Sequence, residues 1–366
     1  MTPLIALVLF ARLPDVRLLR TPGGGIQPQA VRSDDGRVHL LYFKGAPEAG
    51  DLLYITSRDD GSTWTAPIAV SNVRGSATAI GNIRGGQLAV NGKGDAAIVW
   101  NGSQEASKAL RKGGQAPLMF SYRSAREGGF TKAIDVSGTT RNLDGGATVA
   151  FDGQGTVGIF WHAASATSKG ESERAVWMAR WSPMGLGPVI RLGIGDLGAC
   201  GCCSMKALGN ADGYTILYRS ATDSTKRDTW RITTSDGVDV QKERVDPWNL
   251  NACPMSSFGL AFGNRRTWMA WETEGKVRVG FRPGKGFTEL SSSGRAKHPT
   301  LATSGDFTLC AWTEGMGWGR GGTLQWAILD GEGKVVRASP GSAGDVPVWS
   351  LVTAFASKGG DFTIVY

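Results

Sequence analysis

The sequence predicts an all-β chain closed into a β-propeller, with seven blades as the simplest count. Three observations carry this. A paired-strand unit recurs along the whole chain, its turns are built from Gly, Asp and Asn, and its second strand usually ends in an aromatic residue. The repeat is roughly 40–60 residues long, the range of a four-stranded blade. The chain has 53 Gly and 13 Trp in 366 residues, which suits many tight turns with large apolar side chains between sheets.

The pairs run in order. Residues 29–31 join 39–42 across Asp35-Gly36, and 88–90 join Ala97-Ile98-Val99-Trp100 across Gly92. Residues 148–150 and 158–161 flank Asp152-Gly153, and 205–208 and 216–218 flank Asp212-Gly213. The fifth and sixth pairs are 259–261 with 268–271 and 300–302 with 309–312, and the seventh is 351–354 with 362–366. Apolar runs of this length bounded by turn residues read as strands. Between most pairs lies a second hairpin, for example 118–122 and 176–180. The seventh pair lacks outer strands, so residues 15–19 are expected to supply one and close the ring, which protects an exposed strand edge. Trp100, Trp161, Trp271 and Trp312 recur at one structural position and read as blade packing. Residues 15–366 thus form one propeller domain. Residues 1–14 are an apolar N-terminal segment, read as an export signal or as an outer strand.

The net charge is +8, and the basic residues are scattered. This favours a glycan or another anionic small molecule or polymer as partner. No basic run or recognition motif points to nucleic acid. Past the first residues, no segment approaches the ~20 apolar residues of a membrane span. A secreted or periplasmic monomer is expected.

Residues Ser57-Arg58-Asp59-Asp60-Gly61-Ser62-Thr63-Trp64 follow a strand-like run. Asp-Gly supplies a turn that reaches positive φ, the Asp side chain bonds nearby N–H groups, and Trp lids the turn. The motif resembles the Asp-box (BNR repeat) of sialidase-like β-propellers, with degraded copies at 235–237 and 330–331. That resemblance implies six blades as the alternative to seven, and a glycan-directed role. It also implies three arginines on a substrate carboxylate, a Tyr–Glu nucleophile and an Asp acid. The place of the first arginine reads Gly25-Ile26-Gln27-Pro28, so the arginine triad is not evident.

Propeller winding sends the segments before each first strand, and after each second strand, to one mouth. Arg84, Gln87, Arg219, Arg227, Lys297, His298, Trp318 and Trp349 are the ligand-binding candidates there. If the protein is a glycoside hydrolase, Tyr218 or Tyr366 with a Glu such as Glu272 is the implied nucleophile pair. Asp144 or Asp228 is then the acid, and Glu314 a further carboxylate. The set 200–203, 218–219, 227–228, 251–255, 312–315 and 346–349 is similar to a narrower group of bacterial secreted sialidase-like proteins.

Cys200, Cys202, Cys203 and Cys253 fall on adjacent loops of the same mouth. In an exported protein, a disulfide from the 200–203 group to Cys253 is expected. Adjacent Cys202 and Cys203 are expected on opposite faces of a strand. The rival reading is a soft metal site, copper-like, helped by His298 or His162. No other cofactor is expected. Cys310 reads as a buried core thiol. Three functions stay open: glycan or anion binding with or without hydrolysis, a disulfide-stapled interaction scaffold, and a metal site.

Overall fold

The computed structural model describes residues 12–168, 170–193, 198–223, 225–284, 286–291 and 293–366. Most of the expected apolar leader, residues 1–11, lies outside them. Seven small sheets form the ring of a seven-bladed β-propeller. Seven sheets, rather than six, follow from the seven paired-strand repeats.

The first blade comprises Ile26–Arg32, Val38–Ala46, Ala49–Ser57 and Ile68–Ala69 in sequential antiparallel order. The second runs from Gln87–Val90 outward to Ile134–Asp135. The third starts at Thr148–Phe151, the fourth at Lys206–Asn210, the fifth at Gly259–Gly263 and the sixth at Ala296–Ser304. The third and sixth carry one additional short strand each, Ile190–Arg191 and Gly344–Val346.

The seventh blade is the closure. Thr353–Ala356 and Phe362–Val365 form its hairpin, and Val16–Leu19 adds in parallel with Val16 opposite Phe362 and Leu19 opposite Val365. The outer strand of the closing blade therefore comes from the other end of the chain, as expected. Arg337 Nη1 to Asp15 Oδ1, 2.9 Å, fastens it to the sixth blade.

The core lies between blades. Trp100, Trp161, Trp268 and Trp271 are essentially inaccessible. Trp100 packs with Leu41, Phe43 and Ile98, and Trp161 with Val99, Phe120 and Val149, so each seam uses side chains from two sheets. Burying an aromatic of this size removes roughly 150–250 Å² from water. At ~25 cal/mol per Å², the seams supply much of the drive for closing the ring.

At the turn 57–64, Asp59 accepts from Ser57 Oγ (2.7 Å), Thr63 N (2.8 Å) and Thr63 Oγ1 (2.6 Å). The Thr63 bonds foremost hold its carboxyl well below the usual carboxylate range. Asp60 takes φ 56°. This turn and the inner hairpin turns lie on one face, here the lower; the loops before the first strands lie on the upper. The single α-helix among the described residues, Gln104–Ala109, is capped by Ser103 Oγ, which accepts from Glu105 N and Ala106 N. No helix among the described residues is long and apolar enough to cross a membrane.

Candidate functional site

The upper face brings the fourth and fifth blades together around Arg219. This residue ends the second strand of the fourth blade and is 1% exposed. Its Nε donates to Ser256 Oγ (3.0 Å), its Nη1 to Arg227 O (2.6 Å) and its Nη2 to Glu272 O. The guanidinium also lies over the rings of Trp248 and Phe258, 4.8 and 5.6 Å from their centroids. Arg219 is thus a structural bolt with its donors turned inward. Arg227 Nη1 donates to Glu171 Oε2 (3.0 Å), while Glu171 Oε1 accepts from Gly201 N (2.8 Å). Arg84 donates Nε to Asp144 O (2.8 Å) and pairs with the Asp144 carboxylate, joining the second blade to the third.

The candidate acids are held by their own neighbours. Asp228 Oδ1 accepts from Trp248 N (2.8 Å). Glu314 accepts from Ser291 Oγ (2.7 Å), Ser293 Oγ and Trp312 Nε1 (2.9 Å). Glu272 Oε1 accepts from Gly275 N (2.9 Å), and its buried Oε2 has no partner. Burial raises the Glu272 pKa against the pull of Arg219 and Lys297. Tyr218 is buried in the seam with Ile216, Met205 and Val176, and burial pushes its phenol up.

His162 Nε2 donates to Cys203 O at 2.7 Å. Burial lowers its pKa to about 4, so the ring is neutral near pH 7. His298 Nδ1 meets Ser257 Oγ at 3.0 Å, and burial lowers its pKa to about 3. Lys297 donates to Pro254 O. Trp318 is exposed and lies against Gly81, and Trp349 is half-buried at φ 55°.

Three sulfurs converge here. Cys200, Cys202 and Cys203 place their Sγ atoms within 4.8 Å of one another, with Cys200 and Cys202 at 3.4 Å. The expected opposition of Cys202 and Cys203 is corrected, because 200–203 is a turn, closed by Cys203 N to Cys200 O at 3.3 Å. In a turn, successive side chains need not alternate. The expected disulfide to Cys253 is also corrected. All five cysteines are free, and Cys253 is exposed outside the cluster. Neither His162 nor His298 joins the three-sulfur group. Cys310 is buried, as expected of a core thiol. A Cβ on Gly145 would stand 2.1 Å from Cys203 O, so that close approach requires glycine.

The axis is closed above. Gln27, buried, donates Nε2 to Ala79 O (2.7 Å) and Trp349 O (2.8 Å), and Asn82 Nδ2 donates to Ser350 O (3.2 Å). Beside His298, Lys297 and Trp318 only a crevice of about 10 Å³ remains. The upper-face residues do converge, but as a packed plug rather than an open mouth.

Below the plug the axis is open. A cavity of about 490 Å³ is lined by all seven innermost strands, and its lining reaches the lower-face turn at Ser33 and Asp34. The walls include Ala30, Leu88, Val149, Leu260 and Leu301. Toward the plugged end, Lys206 Nζ stands 3.4 Å from both Gln29 Oε1 and Gln87 Oε1. No carboxylate among the described residues pairs with it. Gln87, expected at the upper mouth, faces Lys206 at the head of this channel. Lys206 is half-buried in the channel wall, and burial lowers its pKa to about 8. Sequence reasoning passed over Lys206, Glu171, Arg174 and Ser256. For Lys206 the signal was present as a cation within the apolar run Met205-Lys206-Ala207-Leu208. For the others it was not, since each acts through a contact from a loop distant in sequence.

No protein-family model matches the chain, and no curated protein does. Solved structures share its fold. A Dyadobacter fermentans protein of unknown function is 11% identical over 87% of this chain and 98% of its own, with TM-score 0.55. A Penicillium chrysogenum α-L-arabinanase complexed with arabinobiose is 12% identical over 88% and 99%, with TM-score 0.55. A Trypanosoma rangeli sialidase in complex with the inhibitor DANA is 11% identical over 82% of this chain and 54% of its own, with TM-score 0.53. This chain therefore spans about half of that sialidase. The expected likeness to sialidase-like propellers holds at the level of fold.

Proposed function

We propose that this propeller is a binding protein that holds a small carboxylate-bearing glycan unit, of the sugar-acid class, in its axial channel. Lys206 is the observation that carries this reading. A half-buried cation in the channel wall, faced by two amide oxygens and by no carboxylate among the described residues, lacks a counter-charge, and buried charges are normally paired. The channel has the volume of a small-ligand site, apolar walls and a few polar groups at its closed end. A ligand carboxylate on Lys206 supplies the missing charge, and the Gln29 and Gln87 amides orient its hydroxyls. The fold neighbours include an arabinanase and a sialidase, which supports a glycan as the ligand class. Binding is favoured over hydrolysis because Asp144, Asp228 and Glu314 are engaged and Tyr218 is buried in a seam. Secretion to where such glycans occur belongs to the same reading.

The test is calorimetric titration with glucuronate, galacturonate and N-acetylneuraminate, with neutral arabinose as comparison. At least one acid is expected to bind and arabinose much less. Lys206→Met is expected to weaken acid binding by about 10- to 100-fold, the worth of one hydrogen bond to a charged group. Affinity should fall as pH rises through about 8, because the free site then loses its proton. Equal affinity for acidic and neutral sugars, or full affinity in Lys206→Met, overturns the proposal.

A further inference from the structure

We propose that Cys200, Cys202 and Cys203 form a three-thiolate site for a soft monovalent cation, cuprous copper, on the upper face. The site is separate from the axial channel and does not rest on its occupancy.

Geometry is the first support. Three sulfurs around one ion at ~2.3 Å stand ~3.8–4.0 Å apart, in tetrahedral or trigonal arrangement. The observed sulfurs lie within 4.8 Å of one another with one pair at 3.4 Å, so side-chain shifts of up to about 1 Å complete the triangle. The turn at 200–203 achieves this by placing the side chains of residues i, i+2 and i+3 on one side.

Donor chemistry selects the ion. The cluster contains sulfur alone, with no imidazole or carboxylate among the described residues. Thiolate-only sets favour soft ions such as Cu(I), whereas oxygen sets suit magnesium or calcium. Zinc in a structural site takes four ligands, and the described residues offer three here. Cuprous copper is stable on three sulfurs alone.

Charge is the independent support. Three thiolates and one cuprous ion leave a net charge of −2, which must be offset in a buried place. Three guanidinium groups surround the turn. Arg219 and Cys203 share Ser256, whose Oγ lies 3.0 Å from Arg219 Nε and 3.6 Å from Cys203 Sγ. Arg227 and Gly201 share the Glu171 carboxylate. Arg174 is 8% exposed, its Nε and Nη2 have no hydrogen-bond partner among the described residues, and its Nε lies 3.3 Å from where a Gly201 Cβ would stand. A buried guanidinium with open donors beside three sulfurs fits an anionic complex. Cys202 is partly exposed, and a crevice of about 280 Å³ lined by Gly201, Glu171 and Arg174 lies beside the turn.

Loading forms three S–Cu bonds as three S–H protons leave to solvent. No electron is transferred, and copper enters and stays as Cu(I).

The experiment titrates the reduced full chain under anaerobic conditions with Cu(I) held by a colorimetric chelator. Wild type and Cys253→Ser are expected to withdraw one equivalent each. Cys202→Ser removes a half-exposed sulfur and leaves the fold intact by thermal melting. It is expected to lose more than the ~100-fold that even outer-shell changes reach. X-ray absorption on the loaded chain should show sulfur scatterers only, at ~2.3 Å. Failure of wild type to compete, unchanged uptake by Cys202→Ser, or nitrogen and oxygen scatterers at the copper each overturn the proposal.

Discussion

The two ends of the ring divide chemistry and space between them. The upper end gathers Arg84, Arg219, Arg227, His162, His298, their acidic neighbours and three thiols, and fills its interior with them. The lower end carries ion pairs of its own at its turns, such as Arg32 with Asp60 and Arg180 with Asp152, yet leaves an axial cavity open, with Lys206 at its blind end. Clustered polar residues on one rim therefore do not by themselves mark an open pocket. On the upper face most of them satisfy one another, as Arg219 does through three donors. On the lower side one charge is left without a counter-charge.

The largest expected effect tests the upper end. Arg219→Ala removes a buried cation and leaves Ser256 Oγ, Arg227 O and Glu272 O without their donor. It also strips Trp248 and Phe258 of a stacked partner. Breaking a buried charged network typically costs about 3–5 kcal/mol. Urea unfolding should show a loss of that size, and Arg219→Lys should recover little of it, because one ammonium cannot reach three acceptors in the plane of a guanidinium. A loss below about 1 kcal/mol would mean that the plug is loose, and the contrast between the two ends would fail.

Much of this contrast was legible in the sequence, though not its sense. The hairpin repeat identified the blades because apolar pairs and Asp-Gly turns are local signals. The strand 16–19 was legible as closure because the last pair lacked outer strands. Winding then placed Arg219, Glu272, Cys203 and His298 on one face. Whether their side chains meet across a pocket or fill it depends on loops such as 79–86 and 347–352. Their packing is set by contacts such as Gln27 to Ala79 and Trp349, which span up to 322 residues. No local pattern encodes those. The 200–203 turn was misread as a strand because Cys-Gly-Cys-Cys follows no alternation, and Gly201 itself was the hint of a turn.

The next effect in size tests the lower end and has the opposite sign. The folded state lowers the Lys206 pKa to about 8, below the ~10.4 of an unfolded lysine. Folding therefore disfavours its charge. That cost is fully present below about pH 8 and is relieved as pH rises toward ~10.4, where the unfolded chain also loses the proton. Lys206→Met keeps the stem and deletes the charge, so it should stabilise the ligand-free protein at pH 7, by about 1–3 kcal/mol. The gain should shrink above pH 8 and vanish near pH 10–11. Denaturant midpoints at pH 7, 9 and 10.5 check this. A destabilised Lys206→Met at pH 7 would show that the ammonium is a structural group like Arg219, and the two ends would then be alike.

The smallest effect lies at the edge of the plug, where Arg84 meets Asp144. Their side chains are 29% and 43% exposed, so water and salt weaken the pair. Pairs of this kind contribute about 0–1 kcal/mol. Arg84 also donates to the Asp144 carbonyl, and this bond holds the loop before the third blade whether or not the carboxylate is charged. Asp144→Asn should therefore cost less than Arg84→Ala, although each deletes the same ion pair. Raising the salt from about 0.05 to 0.5 M should lower wild-type stability toward that of Asp144→Asn and leave the gap to Arg84→Ala largely intact, because screening acts on the charge and not on the carbonyl bond. Equal losses that both vanish in salt would reduce this contact to simple surface electrostatics. The boundary of the packed upper end would then lie further in, at Asn101, whose amide donates to the Gly145 carbonyl.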